Sequence, residues 1–155
     1  MSASRFFDFG DNVRADVRGV VVLHSSYTYP HDSVIIEQAV DHVVVGIGAD
    51  PAAGHFIVVV TWKLVTDGQE HPSVELRVAT EFVLEDFYDV FSISDDGVDI
   101  TPKRSVDGQF FSIAYSTLRG VAAAHLAGTP WIRRLPPLMA ADDLQARAQS
   151  HNGPR

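Results

Sequence analysis

The sequence predicts an α+β fold, in which a four-stranded antiparallel sheet is followed by a long amphipathic helix and a short C-terminal helix. Strand-favouring residues are concentrated in the first half, where apolar and polar side chains alternate as in a sheet with one covered face. Apolar residues at helical spacing are concentrated in the second half. With 155 residues the chain is long enough to bury a core of its own, and we expect one domain over 1–155.

The composition is that of a folded protein with an acidic surface. The chain is 46% apolar and 21% charged, unlike a disordered segment. Its 12 Lys and Arg against 20 Asp and Glu give a net charge of −8 with histidines neutral. This charge repels phosphate backbones, so nucleic acid is not expected as a partner. The absence of cysteine excludes a disulfide scaffold, a thiol nucleophile and zinc sites built on thiolates.

No segment has the length or composition of a membrane or export signal. The longest aliphatic runs, such as residues 56–60, are far shorter than the ~20 residues that span a bilayer. Asp8 interrupts the apolar residues near the N-terminus, leaving no stretch of signal-peptide length. We therefore expect a cytoplasmic protein with no membrane partner.

Four segments between 17 and 85 have strand character. The first, 17–29, is dense in β-branched and aromatic residues and is followed by a connection over 30–38. The second and third, 40–47 and 55–65, are joined by turn-forming residues that suit an antiparallel hairpin. The fourth has the clearest alternation, with the apolar positions Val74, Leu76, Val78, Phe82 and Leu84, together with Thr80, on its buried face.

The helical part covers 107–148. Asp107 is a suitable N-cap for a helix whose apolar face includes Phe111, Tyr115 and Leu118, and Gly128 marks its end. A shorter helix is predicted over 140–148, with acidic residues in its first turn. Residues 86–103 fit either a frayed strand continuation or a loop with a short helical turn. We expect flexible ends over 1–12 and 149–155.

Catalytic and metal-binding motifs are missing from the sequence. The glycines at 46 and 48 are followed by Pro51, where a dinucleotide-binding motif needs glycine, and no phosphate-binding loop is present. The acidic residues of 95–99 have the wrong offsets for a calcium loop. No two of the seven histidines are spaced i,i+4, and His125 is expected to pack and hydrogen-bond. We expect no catalytic residues, no metal and no cofactor.

The order of segments in the second half resembles the SecB export chaperones. Phe-Phe-Ser-Ile-Ala-Tyr-Ser-Thr-Leu-Arg-Gly at 110–120, Ala-Gly-Thr-Pro at 127–130, Leu-Pro-Pro-Leu at 135–138 and Asp-Asp-Leu at 142–144 follow one another. In that family a helix with a Pro-Tyr-Ala-Arg-like turn leads to a Gly-Thr-Phe-Pro segment, a Leu-Ala-Pro-Val connector and a final helix. Residues 25–30 look like the end of the family's first strand, entering its crossover loop. The resemblance covers about residues 17 to 145.

This resemblance implies a non-enzymatic holdase. SecB-like subunits form homo-oligomers, a dimer or a tetramer, and hold unfolded or partly folded clients in apolar grooves between the sheet, the connector and the final helix. By position, the resemblance implies client contacts at the two crossover tyrosines, three connector residues and two residues around the last helix: Tyr27, Tyr29, Trp131, Ile132, Leu135, Leu138 and Leu144. Plain core packing is the alternative for each of them.

Departures from the family pattern leave other functions open. Ser-Ile-Ala precedes Tyr115, where the family typically has Leu-Phe-Pro, and the C-terminus lacks the basic ending that recruits the translocase motor. Docking to that motor is therefore not expected. Some divergent relatives serve as chaperones of one partner, such as an antitoxin. A small-molecule or lipid-binding module, and a small enzyme using His and Asp residues from separate strands, also remain possible.

Overall fold

A computed structural model describes residues 7–8, 13–30, 32–103 and 107–151. The strands are β1 (Phe7–Asp8), β2 (Arg14–Tyr27), β3 (Val40–Asp50), β4 (His55–Val65), β5 (Val74–Leu84), β6 (Phe91–Ile93) and β7 (Ile100–Pro102). The α-helices are α1 (Ser33–Gln38), α2 (Phe87–Val90), α3 (Asp107–His125) and α4 (Ala141–His151). Two short 3₁₀ helices, Pro51–Ala53 and Pro130–Arg134, complete the regular structure.

The main sheet is antiparallel and has the strand order β1-β2-β5-β4-β3. Its four long strands and the helices α3 and α4 confirm the predicted α+β fold. β4 has the predicted bounds, and the fourth strand has the predicted buried face. β6 and β7 form a separate two-stranded sheet.

The core lies between the sheet and the two long helices. α3 crosses β4 and β5, and α4 packs against both α3 and β3. Phe56 of β4 stacks on Phe91 with ring centroids 4.4 Å apart and meets Phe110 of α3 edge-on at 5.5 Å. Burying each such side chain stabilises the fold by roughly 1.5–3 kcal/mol. The alternate side chains of β4 and β5 point to the other face of the sheet, which is partly exposed and on which none of the described long helices packs.

Several segments differ from the sequence-based expectation. β1 adds a fifth strand to the sheet, β2 covers Arg14–Tyr27 instead of 17–29, and β3 continues to Asp50 instead of ending at 47. The predicted connection over 30–38 contains α1, which begins after Asp32, whose side chain accepts a hydrogen bond from the Val34 amide at 3.1 Å. A helix of six residues is too short to show apolar periodicity. Residues 86–103 form α2 and the β6–β7 hairpin, with Gly97 at φ 75° in its turn.

The helix ends are close to their predicted positions. Asp107 is the first residue of α3, and the N-cap position before it lies outside the described residues. α4 continues to His151, three residues beyond the predicted end. Of the segments for which flexible ends are predicted, residues 1–6, 9–12 and 152–155 also lie outside the described part of the chain.

Candidate functional site

The connector between α3 and α4 is fastened to the buried side of α3. Tyr115 Oη donates a hydrogen bond to the Pro137 carbonyl at 2.6 Å. Arg119 Nε, one helical turn further on, donates to the Pro136 carbonyl at 2.9 Å. Prolines have no amide hydrogen, so these two carbonyls are the polar groups through which this stretch can be held. The side chains of α3 therefore fix the path of the connector.

Burial keeps the Tyr115 hydroxyl neutral. Only 3% of the residue is exposed, and this desolvation raises the pKa of Tyr115 from 10.0 to about 12. The nearby positive charge of Arg119 lowers the pKa by less than burial raises it. Tyr115 is thus protonated and donates its hydrogen bond to the Pro137 carbonyl at any physiological pH.

The connector also contacts the crossover segment that links β2 to β3. Trp131 is fully buried, and its Nε1 donates a hydrogen bond to the Thr28 carbonyl at 2.6 Å. The Thr28 amide in turn donates to the Ser73 carbonyl at 2.9 Å. Trp131 thereby ties the start of the connector to the crossover and, through it, to the turn before β5.

Arg134 makes a second contact between the connector and the crossover segment. Its guanidinium donates to the carbonyls of Ile36 and Ala39 at the C-terminus of α1, and to an Asp41 carboxylate oxygen at 3.2 Å. The other Asp41 oxygen accepts a hydrogen bond from Trp62 Nε1 at 2.8 Å. Charge-assisted bonds to helix carbonyls satisfy groups that a short helix otherwise leaves unpaired. Crossover, connector and sheet are therefore joined by buried or half-buried polar contacts.

A groove of about 570 Å³ lies beside this junction, between β3, the connector and α4. Its walls combine apolar side chains with three charged ones: Asp41, Val43, Pro137, Met139, Asp143, Ala146 and Arg147. Arg147 of α4 donates to the Val43 carbonyl at 3.0 Å. The groove lies between sheet, connector and final helix, the position in which the resemblance to SecB chaperones implies a client groove.

The seven predicted contact residues fall into two groups. Four are exposed: Tyr29 by 66%, Leu138 by 84%, and Tyr27 and Ile132 by about 40% each. Leu135 is half-buried against the core. Trp131 and Leu144 are fully buried, so these two occupy core positions and offer no surface to a second molecule in this conformation.

The four exposed residues lie along the crossover and the connector, two on each segment. The rings of Tyr27 and Tyr29 meet edge-on with centroids 6.1 Å apart. Trp131, which binds the Thr28 carbonyl between them, directly precedes Ile132. Leu138 follows the carbonyl that Tyr115 holds. We call Tyr27, Tyr29, Ile132 and Leu138 the crossover–connector surface.

Sequence reasoning missed the side chains that line the groove itself. Val43, Met139 and Ala146 form its apolar wall, and none of them was predicted. Met139 directly follows the recognised connector segment 135–138, so its place in the chain could have indicated it. Val43 and Ala146 carry no such signal, because their position depends on how α4 packs against β3.

The described residues offer few other groups that could bind a ligand or a metal ion. His125 is exposed and its Nδ1 lies 3.0 Å from Ser25 Oγ, which joins the end of α3 to β2. Among the described residues no group of three or more His, Asp or Glu side chains is placed to hold a metal ion. No described helix is both long and apolar enough to cross a membrane.

The fold is SecB-like. No known family profile matches the chain, and no curated protein matches it. Among solved structures, it is similar to the SecB-like chaperone Rv1957 of Mycobacterium tuberculosis, in complex with a ChAD peptide from the HigA1 antitoxin Rv1956. The TM-score is 0.50 at 17% sequence identity, and the match covers 81% of this chain and 85% of the other. A likeness at this identity establishes the fold.

Proposed function

We propose that this protein is a SecB-like molecular chaperone, a cytoplasmic holdase that binds unfolded or partly folded polypeptides and makes or breaks no bond. The observation that carries this proposal is the crossover–connector surface. Its apolar side chains are exposed while the main chain that bears them is held by Tyr115, Arg119, Trp131 and Arg134. Exposed apolar groups on a rigid support favour binding, because little order is lost when a partner covers them.

Apolar burial supplies the affinity in this mechanism. Covering apolar surface contributes roughly 25 cal/mol per Å², offset by the ordering of the client chain. Because a folded client hides its apolar side chains, the surface selects the unfolded form. Preferential binding of that form withdraws it from folding and aggregation by mass action.

The groove extends this surface towards α4. Val43, Met139 and Ala146 provide an apolar wall for a client side chain, while the carboxylate of Asp143 can accept a hydrogen bond from the client main chain. Arg147 already binds the Val43 carbonyl at this sheet edge. A client is therefore expected to insert side chains here rather than to extend the sheet at Val43.

A homo-oligomer is also proposed, with β2 at its interface. Beyond Arg14 and Ala15, no described strand pairs with the outer edge of β2. Val17, Val20, Val21, Val22 and Leu23 on this strand are each 39–53% exposed. An unpaired apolar edge promotes association, and pairing with β2 of a second copy across a two-fold axis would cover it. In a dimer or a tetramer, the unpaired main-chain groups of this edge would be hydrogen-bonded to the second copy.

A dedicated chaperone of one partner is the second candidate. The solved SecB-like structure contains a peptide from an antitoxin rather than a general unfolded client. In that case the same surface and groove would be selective for one sequence.

Light scattering after size exclusion tests the proposal, using the purified protein with a permanently unfolded polypeptide and with the folded form of that polypeptide. The proposal predicts a stable complex with the unfolded chain and none with the folded form. If neither form is retained, the general holdase is excluded and a dedicated partner becomes the better account.

A further inference from the structure

A second cavity lies on the opposite side of α4 from the groove. Its volume is about 370 Å³, and its walls come from β3, β4, the β6–β7 hairpin and the helices α3 and α4. On α4 the cavity is lined by Gln145 and Ala148, whereas Asp143, Ala146 and Arg147 line the groove. Because successive residues of a helix are rotated by about 100°, these two sets point to opposite sides of α4. The cavity is therefore separate from the groove proposed to hold clients.

The inner wall of the cavity is aromatic and aliphatic. Phe56, Phe91 and Phe111 lie in it, and each is no more than 4% exposed. The rings of Phe56 and Phe91 stack with their centroids 4.4 Å apart, which fixes the position of this wall. The wall continues through Ile47 and Ile100, which are partly buried. A polar ligand group would lose its hydration here without gaining a hydrogen bond, so this end of the cavity suits an apolar group.

The mouth of the cavity is polar and acidic. Asp99 and Thr101 of the hairpin are exposed and line it on one side, and Gln145 lines it on the other. Asp99 is the only ionisable side chain among the described residues that line the cavity. No ion pair joins it to a described basic side chain, and Lys103, the next basic residue along the chain, donates to the Tyr88 carbonyl at 2.8 Å. The carboxylate of Asp99 is therefore available to a ligand.

We propose that this cavity binds a small organic cation, an amine whose apolar body packs on the aromatic wall while its ammonium group pairs with Asp99. At the ~30 Å³ that one water molecule occupies in the liquid, the cavity holds about 12 groups of that size, so the ligand has roughly ten non-hydrogen atoms. Small-ligand sites typically combine apolar walls with a few placed polar groups in this way. An anion of the same size would be repelled by Asp99 and by the net charge of −8.

Three probes that share one apolar body and differ in their polar group test the proposal: 4-phenylbutylamine, 4-phenylbutanol and 4-phenylbutyrate. At pH 7 the first is a cation, the second is neutral and the third is an anion. In isothermal titration calorimetry with the full chain, the amine should bind about tenfold more tightly than the alcohol, because it adds a charge-assisted hydrogen bond. The anion should bind more weakly than the alcohol. Since the cavity exists only in the folded protein, the amine should also raise Tm.

The variant Asp99→Asn tests the assigned carboxylate, since an amide keeps the shape of the side chain and removes its charge. Its affinity for the amine should fall about tenfold, while its affinity for the alcohol should stay unchanged. The matched control is Asp95→Asn, which removes the same charge at an exposed residue of the same hairpin turn, outside the described lining of the cavity. This control should bind the amine like the wild type, and circular dichroism establishes that both variants are folded.

Failure of the wild type to bind the amine, or equal affinities for the amine and the alcohol, would overturn the proposal. An equal loss of amine affinity in Asp95→Asn and Asp99→Asn would overturn it too, because the amine would then respond only to the overall charge. If Asp99→Asn bound the amine normally and an unfolded polypeptide more weakly, the cavity would belong to clients, which also contradicts the proposal. Client binding measured on the wild type alone has no bearing on this cavity, so the proposed holdase and the proposed amine site can fail separately.

Discussion

The Tyr115 hydroxyl lies 2.6 Å from the carbonyl of Pro137, which joins the middle of α3 to a connector residue 22 positions later. Arg119 makes the equivalent bond to Pro136 at 2.9 Å. The exposed Leu138 immediately follows the carbonyl that Tyr115 holds. The surface proposed to bind clients is therefore attached to the buried side of the helix that fills the core.

Replacing Tyr115 with phenylalanine should destabilise the fold by about 1 kcal/mol, because a hydrogen bond is lost while the ring still packs. Urea denaturation measures this change. Tyr88→Phe is the control, since Tyr88 is 58% exposed and should leave stability unchanged. Equal stability of Tyr115→Phe and the wild type would show that the bond to Pro137 does not hold the connector.

The protein should also become less stable at high pH, because Tyr115 must stay protonated in the folded state. The pKa of Tyr115 is raised by burial from 10.0 to about 12, so its stabilising contribution is complete below pH 10 and is lost as the pH rises through about 12. Denaturation midpoints measured from pH 9 to pH 12 should decline more steeply for the wild type than for Tyr115→Phe. Parallel curves for the two proteins would contradict this assignment.

Trp131→Phe should lower stability rather than client affinity. The indole is fully buried and its Nε1 donates to the Thr28 carbonyl, so the substitution removes this hydrogen bond and leaves space where the larger ring packed, at a cost of about 1–3 kcal/mol. Thermal unfolding measures the loss. Affinity for an unfolded chain, compared at equal concentrations of folded protein, should match the wild type. A large loss of affinity in a fully stable variant would instead place Trp131 in the client site.

Thr80→Val should stabilise the protein. The Thr80 hydroxyl is completely buried and has no hydrogen-bond partner among the described residues. Valine has the same shape without the unpaired polar group, so we expect a gain of about 1 kcal/mol, or ~3 °C in Tm. Thr61→Val is the comparison, because Thr61 lies on the open face of the sheet and is partly exposed. No gain for Thr80→Val would mean that its hydroxyl finds a partner in solution.

Local patterns predicted most of the sheet and the long helices. The alternation in β5 directly reflects one buried and one open face. Both ends of β4 were predicted correctly. α1 escaped prediction because its stability comes from the Asp32 cap and from Arg134, almost a hundred residues away, rather than from its own six residues. The β6–β7 hairpin is similarly short and depends on a turn at Gly97.

The candidate site could be predicted only in part, because its geometry also depends on contacts between residues far apart in the sequence. The sequence predicted the helix that carries Tyr115 and Arg119, but not their bonds to the connector, because the apolar spacing of a helix does not indicate which carbonyls lie beside it. The burial of Trp131 could not be predicted, since it depends on a bond to Thr28, 103 residues earlier. An aromatic residue in a connector has the same sequence signature whether it is exposed or buried.

The affinity for a permanently unfolded polypeptide, measured by fluorescence anisotropy, tests the central claim most directly. A variant combining Tyr29→Ser, Ile132→Ser and Leu138→Ser should bind at least tenfold more weakly than the wild type, a loss of ~1.4 kcal/mol or more. The matched control combines Tyr88→Ser with Val98→Ser, which remove exposed apolar side chains at α2 and at the β6–β7 turn, and it should bind like the wild type. If the two variants bind equally well, the crossover–connector surface does not hold clients.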